Sequence, residues 1–264
     1  MKTHHIVSTR FLYEDIFDNG QIFKDSYRYK SKDILMNSFI KTLDNQDDKD
    51  FICVILTHEK NKKFVQYIDF PFDTKVFTYN EFINYIKSCI SRFDYVIHTT
   101  CDYDDFFHKE NLFLIKNSIR ENTTFKMYGF TKGATLIRGE KEPHLFAPDY
   151  IGKDGFFSCC TSIIYSTKLN FSENFPYLIH DVAKNYNGNH PNWKHIIEKE
   201  YKNWGLKTLD EDFFDYPNED KVRFIWIRQP LSITTMKLNK ENKPLHLSDK
   251  ILKLNLKNDF GYEC

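Results

Sequence analysis

The chain has no long apolar run, no glycine-rich phosphate motif and no net charge, and each absence removes a class of function. Its longest uninterrupted apolar stretch, Phe51-Ile-Cys-Val-Ile-Leu56, is the size of a strand. Crossing a bilayer takes roughly 18–20 such residues, so no transmembrane segment is expected. The opening Met-Lys-Thr-His-His-Ile-Val-Ser-Thr-Arg lacks the apolar core and cleavage site of a secretory leader, which points to a soluble, cytoplasmic protein. The 37 Lys and Arg cancel the 37 Asp and Glu, leaving no basic field to gather phosphate backbones, and no nucleic acid is expected as a partner. Neither G-x-G-x-x-G nor G-x-x-x-x-G-K-[ST] occurs, which disfavours a Rossmann dehydrogenase and a P-loop kinase. Glycine is scarce at 9, and none of the 6 cysteines (53, 89, 101, 159, 160 and 264) falls in a C-x-x-C pair. Buried thiols in a reducing compartment explain them more simply than disulfides or zinc. The adjacent Cys159 and Cys160 read as alternating positions of a strand rather than a redox pair.

What the sequence does have is enough apolar material, 41% of 264 residues, to fill one large core. Aromatics reach 17%, alongside 30 Lys against seven Arg. That combination is what an AT-rich genome produces, so the rings alone do not mark a binding cage.

Patterning along the chain alternates strands and helices. His5–Thr9 reads as a buried first strand, and Ser31 offers a cap to a helix carrying Met36, Phe39, Ile40 and Leu43 at helical spacing. The run 50–57 is continuously apolar over 51–56 and rich in β-branched residues, as in a strand covered on both faces. A third strand is expected at 75–79. Asn80 then caps a helix with Phe82, Ile86, Cys89 and Ile90 on one side, followed by a fourth strand at 94–98. Strand, helix, strand, strand, helix, strand implies an α/β fold with an open, mostly parallel sheet flanked by helices. The second half is less regular. A hairpin is expected around Lys132-Gly133, strands at 156–165 and 221–228, and helices at 177–186 and 191–204.

Directly after the fourth strand comes Thr99-Thr-Cys-Asp-Tyr-Asp-Asp105. Ligands of open α/β sheets bind beyond the carboxyl ends of the strands, so three carboxylates stand where chemistry is expected. In extended backbone, residues two apart point the same way, which lets Asp102 and Asp104 converge on one hard divalent cation. Such an ion would neutralise a diphosphate, with Asp105 a third carboxylate for the ion or one that orients a ligand or sugar hydroxyls. The plain alternative is a solvated turn whose charges favour the N-terminus of the next helix, where Leu112, Phe113, Ile115 and Ile119 form an amphipathic pattern.

Ile6-Val-Ser-Thr-Arg-Phe11, Ser38 leading to Asp50-Phe-Ile-Cys-Val-Ile-Leu56, and His98-Thr-Thr-Cys-Asp-Tyr-Asp-Asp-Phe-Phe107 together resemble nucleotide-sugar glycosyltransferases of the GT-A fold. More narrowly the chain is similar to a bacterial and viral group of rhamnosyltransferases, and Phe224-Ile-Trp-Ile-Arg228 followed by Ser232 is similar to a later segment of that group. The resemblance implies a nucleotide diphosphate sugar as donor, a glycan or other hydroxyl acceptor, Mn2+ or Mg2+ as cofactor, and rhamnose as the sugar, with glucose, galactose and N-acetylglucosamine donors left open. It places Thr9 and Arg10 against the nucleotide, Asp102 near ribose or metal, and Asp104 on the metal. Tyr103 stands where the group carries a small residue. Within a single domain over 1–264, residues 1–107 form the expected nucleotide-sugar half, 108–234 the acceptor half, and the Lys/Asn-rich 235–264 a C-terminal tail or lid.

An inverting transfer also needs a base for the acceptor hydroxyl. His180 and Asp181 are the first candidates, the resemblance placing a His near this point, and Glu211 and Asp212 the second. Arg228, at a strand end, is a candidate for diphosphate or acceptor. Trp226 is an aromatic of interest beside Tyr103. His246 and the lysines 237, 240 and 243 read by default as a solvated tail. Two rival functions stay open: a haloacid-dehalogenase-like phosphatase, and a carbohydrate-binding protein without catalysis. The phosphatase carries Asp-x-Asp on its first strand with Thr or Val following, whereas here several elements precede the motif and Phe106 follows it.

Overall fold

Seven strands make the main sheet of this protein, seen in a computed structural model that describes residues 1–13, 20–137, 142–146, 160–177, 193–216, 221–228 and 247–262. The first four are β1 (Thr3–Arg10), β2 (Ile52–Leu56), β3 (Thr74–Phe77) and β4 (Tyr95–Thr100). They run parallel in the order β3-β2-β1-β4, and β1 and β4 have fully buried interiors, as strands covered on both faces have, although both carry polar residues among the apolar ones. Beyond β4 lies the antiparallel β9 (Thr161–Ser166), then β6 (Phe125–Tyr128) and a short β10 (Phe214–Asp215) parallel to β6. This is the expected α/β architecture, an open and mostly parallel sheet with helices on its faces.

Side-chain alternation divides the sheet's two faces. Val7, Phe11, Cys53, Ile55, Ile97 and Ile164 share a core with α1 (Asp25–Leu35), which continues through a wide turn at Met36–Ile40 into α2 (Lys41–Asp44). Val65 of α3 (Glu59–Gln66), and Leu112 and Ile115 of α5 (Asn111–Asn117), join the same core. On the other face Ile6, Val54, Val96 and Ile163 pack against Phe82 and Ile86 of α4 (Tyr79–Ile90) and Ile196 and Ile197 of α6 (Trp193–Glu200).

A second sheet has the order β12-β8-β7-β11-β5, formed by β5 (Phe106–Phe107), β7 (Gly133–Ile137), β8 (His144–Phe146), β11 (Phe224–Arg228) and β12 (Leu247–Ile251). Against it Leu256 and Phe260 of α7 (Leu256–Phe260) pack into a third cluster with Phe106, Ala134 and Ile225. The Lys/Asn-rich end thus contributes, over 247–262, a strand and a packed helix.

Four local expectations are corrected. The helix α3 separates β2 from β3. Its sequence Glu-Lys-Asn-Lys-Lys-Phe-Val-Gln buries only Asn61 and Val65, too few apolar positions to set up a helical period. Ser31 lies inside α1, not at its start. Thr78, not Asn80, caps α4, its backbone N–H and hydroxyl donating to Glu81 at 2.9 and 3.0 Å. Finally, Lys132-Gly133 makes no hairpin. Strand β6 belongs to the main sheet, whereas β7 pairs with β8 and β11 in the second. Gly133 is what allows that, because a Cβ there would sit 2.0 Å from the Phe224 ring.

Candidate functional site

The chain runs from β1 to its neighbour β2 on one side, and β4 joins β1 on the other. The crossover α1 packs on one face of the sheet and α4, which leads into β4, on the opposite face. The carboxyl ends of β1 and β4 therefore flank the topological switch point, where connections diverge and leave a crevice. At that crevice stand Arg10, ending β1, and Asp102 to Asp105, following β4. The structure brings these sequence-predicted residues together.

The carboxylate segment bridges the two sheets and is held at both ends. At its start the Cys101 N–H donates to the Ser8 carbonyl at 3.0 Å, extending β4 along β1. At its end β5 pairs with β11, and the His108 N–H donates to the Arg223 carbonyl at 2.8 Å. Asp105 is 5% exposed, and its Oδ1 accepts the Ile227 N–H at 3.3 Å. That bond makes Asp105 a tie between the segment and β11, whose last residue is Arg228. Asp104 is also buried. Asp102 is only part-covered by neighbours, yet desolvation holds its carboxyl above the usual carboxylate range, with the Arg10 charge acting in the opposite sense. Tyr103 packs edge-on against Phe11 with ring centroids 5.5 Å apart. Burial, then the charge of Asp104 and the neighbouring Tyr27, push its phenol well above its ordinary value, so it stays a neutral hydroxyl.

Thr9 and Arg10 do not present their side chains to the same face. Thr9 lies on the Val7–Phe11 side, fully buried, and its hydroxyl has no hydrogen-bond partner among the described residues. Arg10 lies on the other side, which successive positions of a strand impose.

Among the described residues two carry positive φ without being glycine, Leu12 at 51° and Cys160 at 57°. Leu12 follows β1 and Cys160 precedes the antiparallel β9, so both stand at the same end of the sheet, either side of the carboxylate segment. Left-handed backbone at a side-chain-bearing residue persists only where its surroundings hold it. At Leu12 the holders are clear: its carbonyl accepts the His58 N–H at 3.3 Å and Asn61 Nδ2 at 2.9 Å, and Arg28 Nε donates to Asn61 Oδ1 at 2.9 Å. Sequence reading missed this brace, since Asn61 lies in an otherwise polar helix.

Beneath the site runs a buried polar chain that sequence reading also missed. Ser8 Oγ lies 2.7 Å from His98 Nε2, and His98 Nδ1 lies 3.0 Å from the Tyr177 carbonyl. The carbonyl can only accept, so Nδ1 carries the hydrogen and Nε2 accepts from Ser8. On the opposite face His5 Nε2 meets Thr99 Oγ1 at 2.8 Å, and Thr99 Oγ1 meets Ser162 Oγ at 2.7 Å. Burial lowers the His98 imidazole to about 4 and that of His5 to about 3, so both stay neutral. A polar residue interrupting an apolar run was the available signal.

His180 and Asp181 lie outside the described residues, as do His246 and the lysines 237, 240 and 243. The last described residue before them is Tyr177, anchored on β4 through His98. Asp212 has another partner. Its carboxylate lies 2.5 Å from Nζ of the buried Lys126, which also meets Asp215 at 3.2 Å. Partial burial would raise the Asp212 carboxyl, but Lys126 outweighs it and the net shift is downward, which suits a structural ion pair better than a base.

Among the described residues no group of three or more His, Cys, Asp or Glu is arranged to hold a metal ion. The expected set of Asp102, Asp104 and Asp105 is thus not gathered as three ligands, Asp105 being turned to Ile227. Two carboxylates remain at the strand end. They are hard oxygen donors, and one or two of these beside substrate phosphates are the usual protein share of a magnesium or manganese site. Among the described residues no helix is long and apolar enough to cross a membrane.

No family model matches the chain, and no curated protein matches it either. Solved structures with similar backbones include a cytidylyltransferase from Leptospira borgpetersenii, 11% identical at a TM-score of 0.38 over 83% of this chain and 77% of that one. The inositol-1-phosphate CTP transferase from T. maritima is 11% identical at a TM-score of 0.37, covering 91% of this chain and 96% of that one. S. aureus TarS is 11% identical at a TM-score of 0.40, covering 86% of this chain and 60% of that one. Likeness at this level carries no argument about chemistry, and the fold stands on its own strand order.

Proposed function

We propose that the chain is a metal-dependent glycosyltransferase that moves a sugar from a nucleotide diphosphate donor to a glycan or other hydroxyl acceptor, with inversion. The observation that carries the reading is the Asp102–Asp105 segment at the switch point, facing Arg10 and flanked by two left-handed residues that are not glycine. Rhamnose is the proposed sugar, on the sequence resemblance alone. Asp102 and Asp104 hold the divalent ion, which when bound supplies Lewis-acid stabilisation of the leaving diphosphate. Arg10 adds positive charge at the same strand end. Tyr103, kept neutral, offers a ring face and a hydroxyl to the donor. His180 or Asp181 takes the proton from the acceptor hydroxyl as it attacks.

A thermal-shift panel of nucleoside diphosphates and nucleotide sugars, with and without manganese, tests this. The expected result is stabilisation by one nucleotide class only when manganese is present. Absence of metal-dependent stabilisation across the panel overturns the proposal. Asp104→Ala is expected to keep the circular dichroism spectrum and lose the stabilisation, and normal donor binding by that variant would remove the metal assignment.

A further inference from the structure

Strand β5 continues directly from the carboxylate segment, so whatever fixes β5 also fixes Asp102 and Asp104. The strand is only two residues long. Its ladder with β11 consists of Phe107 opposite Phe224 and Phe106 opposite Ile225, with Phe107 in the main core and Phe106 in the cluster around α7. A ladder this short specifies register weakly, and a slip of one residue turns each side chain to the opposite face. His108, the next residue, is where the chain is gripped. Its N–H donates to the Arg223 carbonyl at 2.8 Å, and its carbonyl accepts the Asn111 N–H at 3.0 Å and Gln46 Nε2, just beyond α2, at 3.2 Å. The ring is buried, and its Nδ1 lies 3.2 Å from the Glu110 backbone nitrogen and 3.4 Å from Arg223 Nη1. Both of those groups can only donate, so Nδ1 is the accepting nitrogen and Nε2 carries the hydrogen. On its other side the ring meets α7. Phe260 packs edge-on against it with centroids 5.4 Å apart, the Lys109 N–H donates to the Asp259 carbonyl at 2.8 Å, and the Asp259 carboxylate stands 3.9 Å from Nε2. Helix α7 is itself tied to α2 and its end, Thr42 Oγ1 donating to the Phe260 carbonyl at 3.3 Å and Asn45 Nδ2 to that of Asn258 at 3.2 Å. Gly261, at a φ of 73°, lets the chain come this close, since a Cβ there would lie 3.0 Å from the Lys41 carbonyl oxygen.

We propose that His108 is a positioning residue, a clamp through which the C-terminal helix α7 holds β5, and with it the carboxylate segment, in register. The consequence for metal rests on the reading of Asp102 and Asp104 as its ligands; the clamp itself does not. Groups that orient metal ligands from outside the coordination shell set affinity nearly as strongly as the ligands do. Alanine at 108 removes the Nδ1 acceptor and the Phe260 contact together. Asparagine keeps a side-chain acceptor for the N–H two residues on, the geometry of an Asx turn, and so restores the bend at Glu110 without the ring.

Two measurements on the full chain test this: hydrogen exchange read by mass spectrometry without ligand, and manganese titration followed by thermal shift with each nucleoside diphosphate in turn. In His108→Ala, exchange over 102–109 is expected to rise while that of β1 stays as in the wild type. The half-saturating manganese concentration should rise about tenfold, the low end of what losing a group that orients metal ligands costs. His108→Asn is expected to recover most of both. Unchanged exchange over 102–109 in His108→Ala overturns the proposal. So does a lower melting temperature with an unchanged manganese requirement, which would make His108 a packing residue only. If exchange rises in the alanine variant and asparagine recovers it, while manganese stabilises not even the wild type, the clamp is supported and the metal reading of the segment is what falls. Should His108→Ala fail to fold, wild-type exchange in urea below global unfolding decides. The amides of 106–109 are then expected to open together with those of 256–261, and opening of 106–109 while 256–261 stays protected overturns the clamp.

Discussion

At Gly133 a single methyl group separates the native packing from a clash. The Cβ of any other residue would fall 2.0 Å from the Phe224 ring, and both residues lie in paired strands that cannot part without losing ladder bonds. Gly133→Ala is expected to destabilise by about 1–3 kcal/mol through overpacking. Combining it with Phe224→Leu should recover part of that loss, so a double-mutant cycle in urea would show coupling. Additive losses would mean the two do not meet. A different balance holds at Asp102. Desolvation raises its carboxyl, so the ionised form kept for ligand weakens the fold at neutral pH. Asp102→Asn is therefore expected to raise the melting temperature of the unliganded protein while abolishing manganese-dependent nucleotide stabilisation. Loss of both would make Asp102 a structural residue and not a ligand.

Among the elements, α3 is the one whose importance exceeds its apolar content. Through Asn61 it fixes the Leu12 carbonyl and with it the left-handed turn after Arg10. Asn61→Ala is expected to cost about 1–3 kcal/mol, because the amide is fully buried and its partners lose their bonds. It should also weaken nucleotide binding, whereas Thr78→Ala, which removes the cap of α4, should cost ~1 kcal/mol and leave binding unchanged. Equal effects of the two on binding would remove the special role of the brace. These cases also show which parts of the fold the sequence made legible. Strands β1, β2 and β4 carry long buried runs whose burial on both faces is written into consecutive residues. The carboxylates were legible for a related reason, since a polar cluster directly after such a strand has a known place in an open sheet. Helix α3 was not, because only Asn61 and Val65 mark its inner face. Nor was the partition of β6 and β7 into separate sheets, which depends on Phe224 far along the chain. The brace at Leu12 was hidden for the same reason: it joins β1, α1 and α3, and no local pattern announces it.

At the scale of the whole molecule, equal numbers of acidic and basic residues hide a strong dependence on pH, because several titratable groups are buried in neutral or paired form. Burial lowers the His98 imidazole to about 4 and the His5 imidazole to about 3. It also lowers His108 to about 4, aided by the charge of Lys221. In the unfolded chain all three titrate near 6.5. Between that value and their folded ones the unfolded state binds more protons, so stability falls as pH drops below 6.5 and stops falling, for each group, below its folded value. For His98 alone the full loss is about 3 kcal/mol. Glu110 extends the trend. The Lys221 hydrogen bond, and Arg223 with it, outweigh partial burial and hold its carboxyl at about 2, so its contribution is present above pH 4.5 and disappears on the way down to 2. Urea unfolding between pH 7 and pH 5 is therefore expected to show stability declining with acid across this interval, with the histidines dominant. His98→Gln should be less stable than the parent at pH 7, having lost the fitted bonds to Ser8 and Tyr177, yet its stability should decline less steeply with acid. An unchanged slope in that variant would mean that His98 takes up its proton without unfolding, and the neutral Ser8–His98–Tyr177 chain would have to be redrawn.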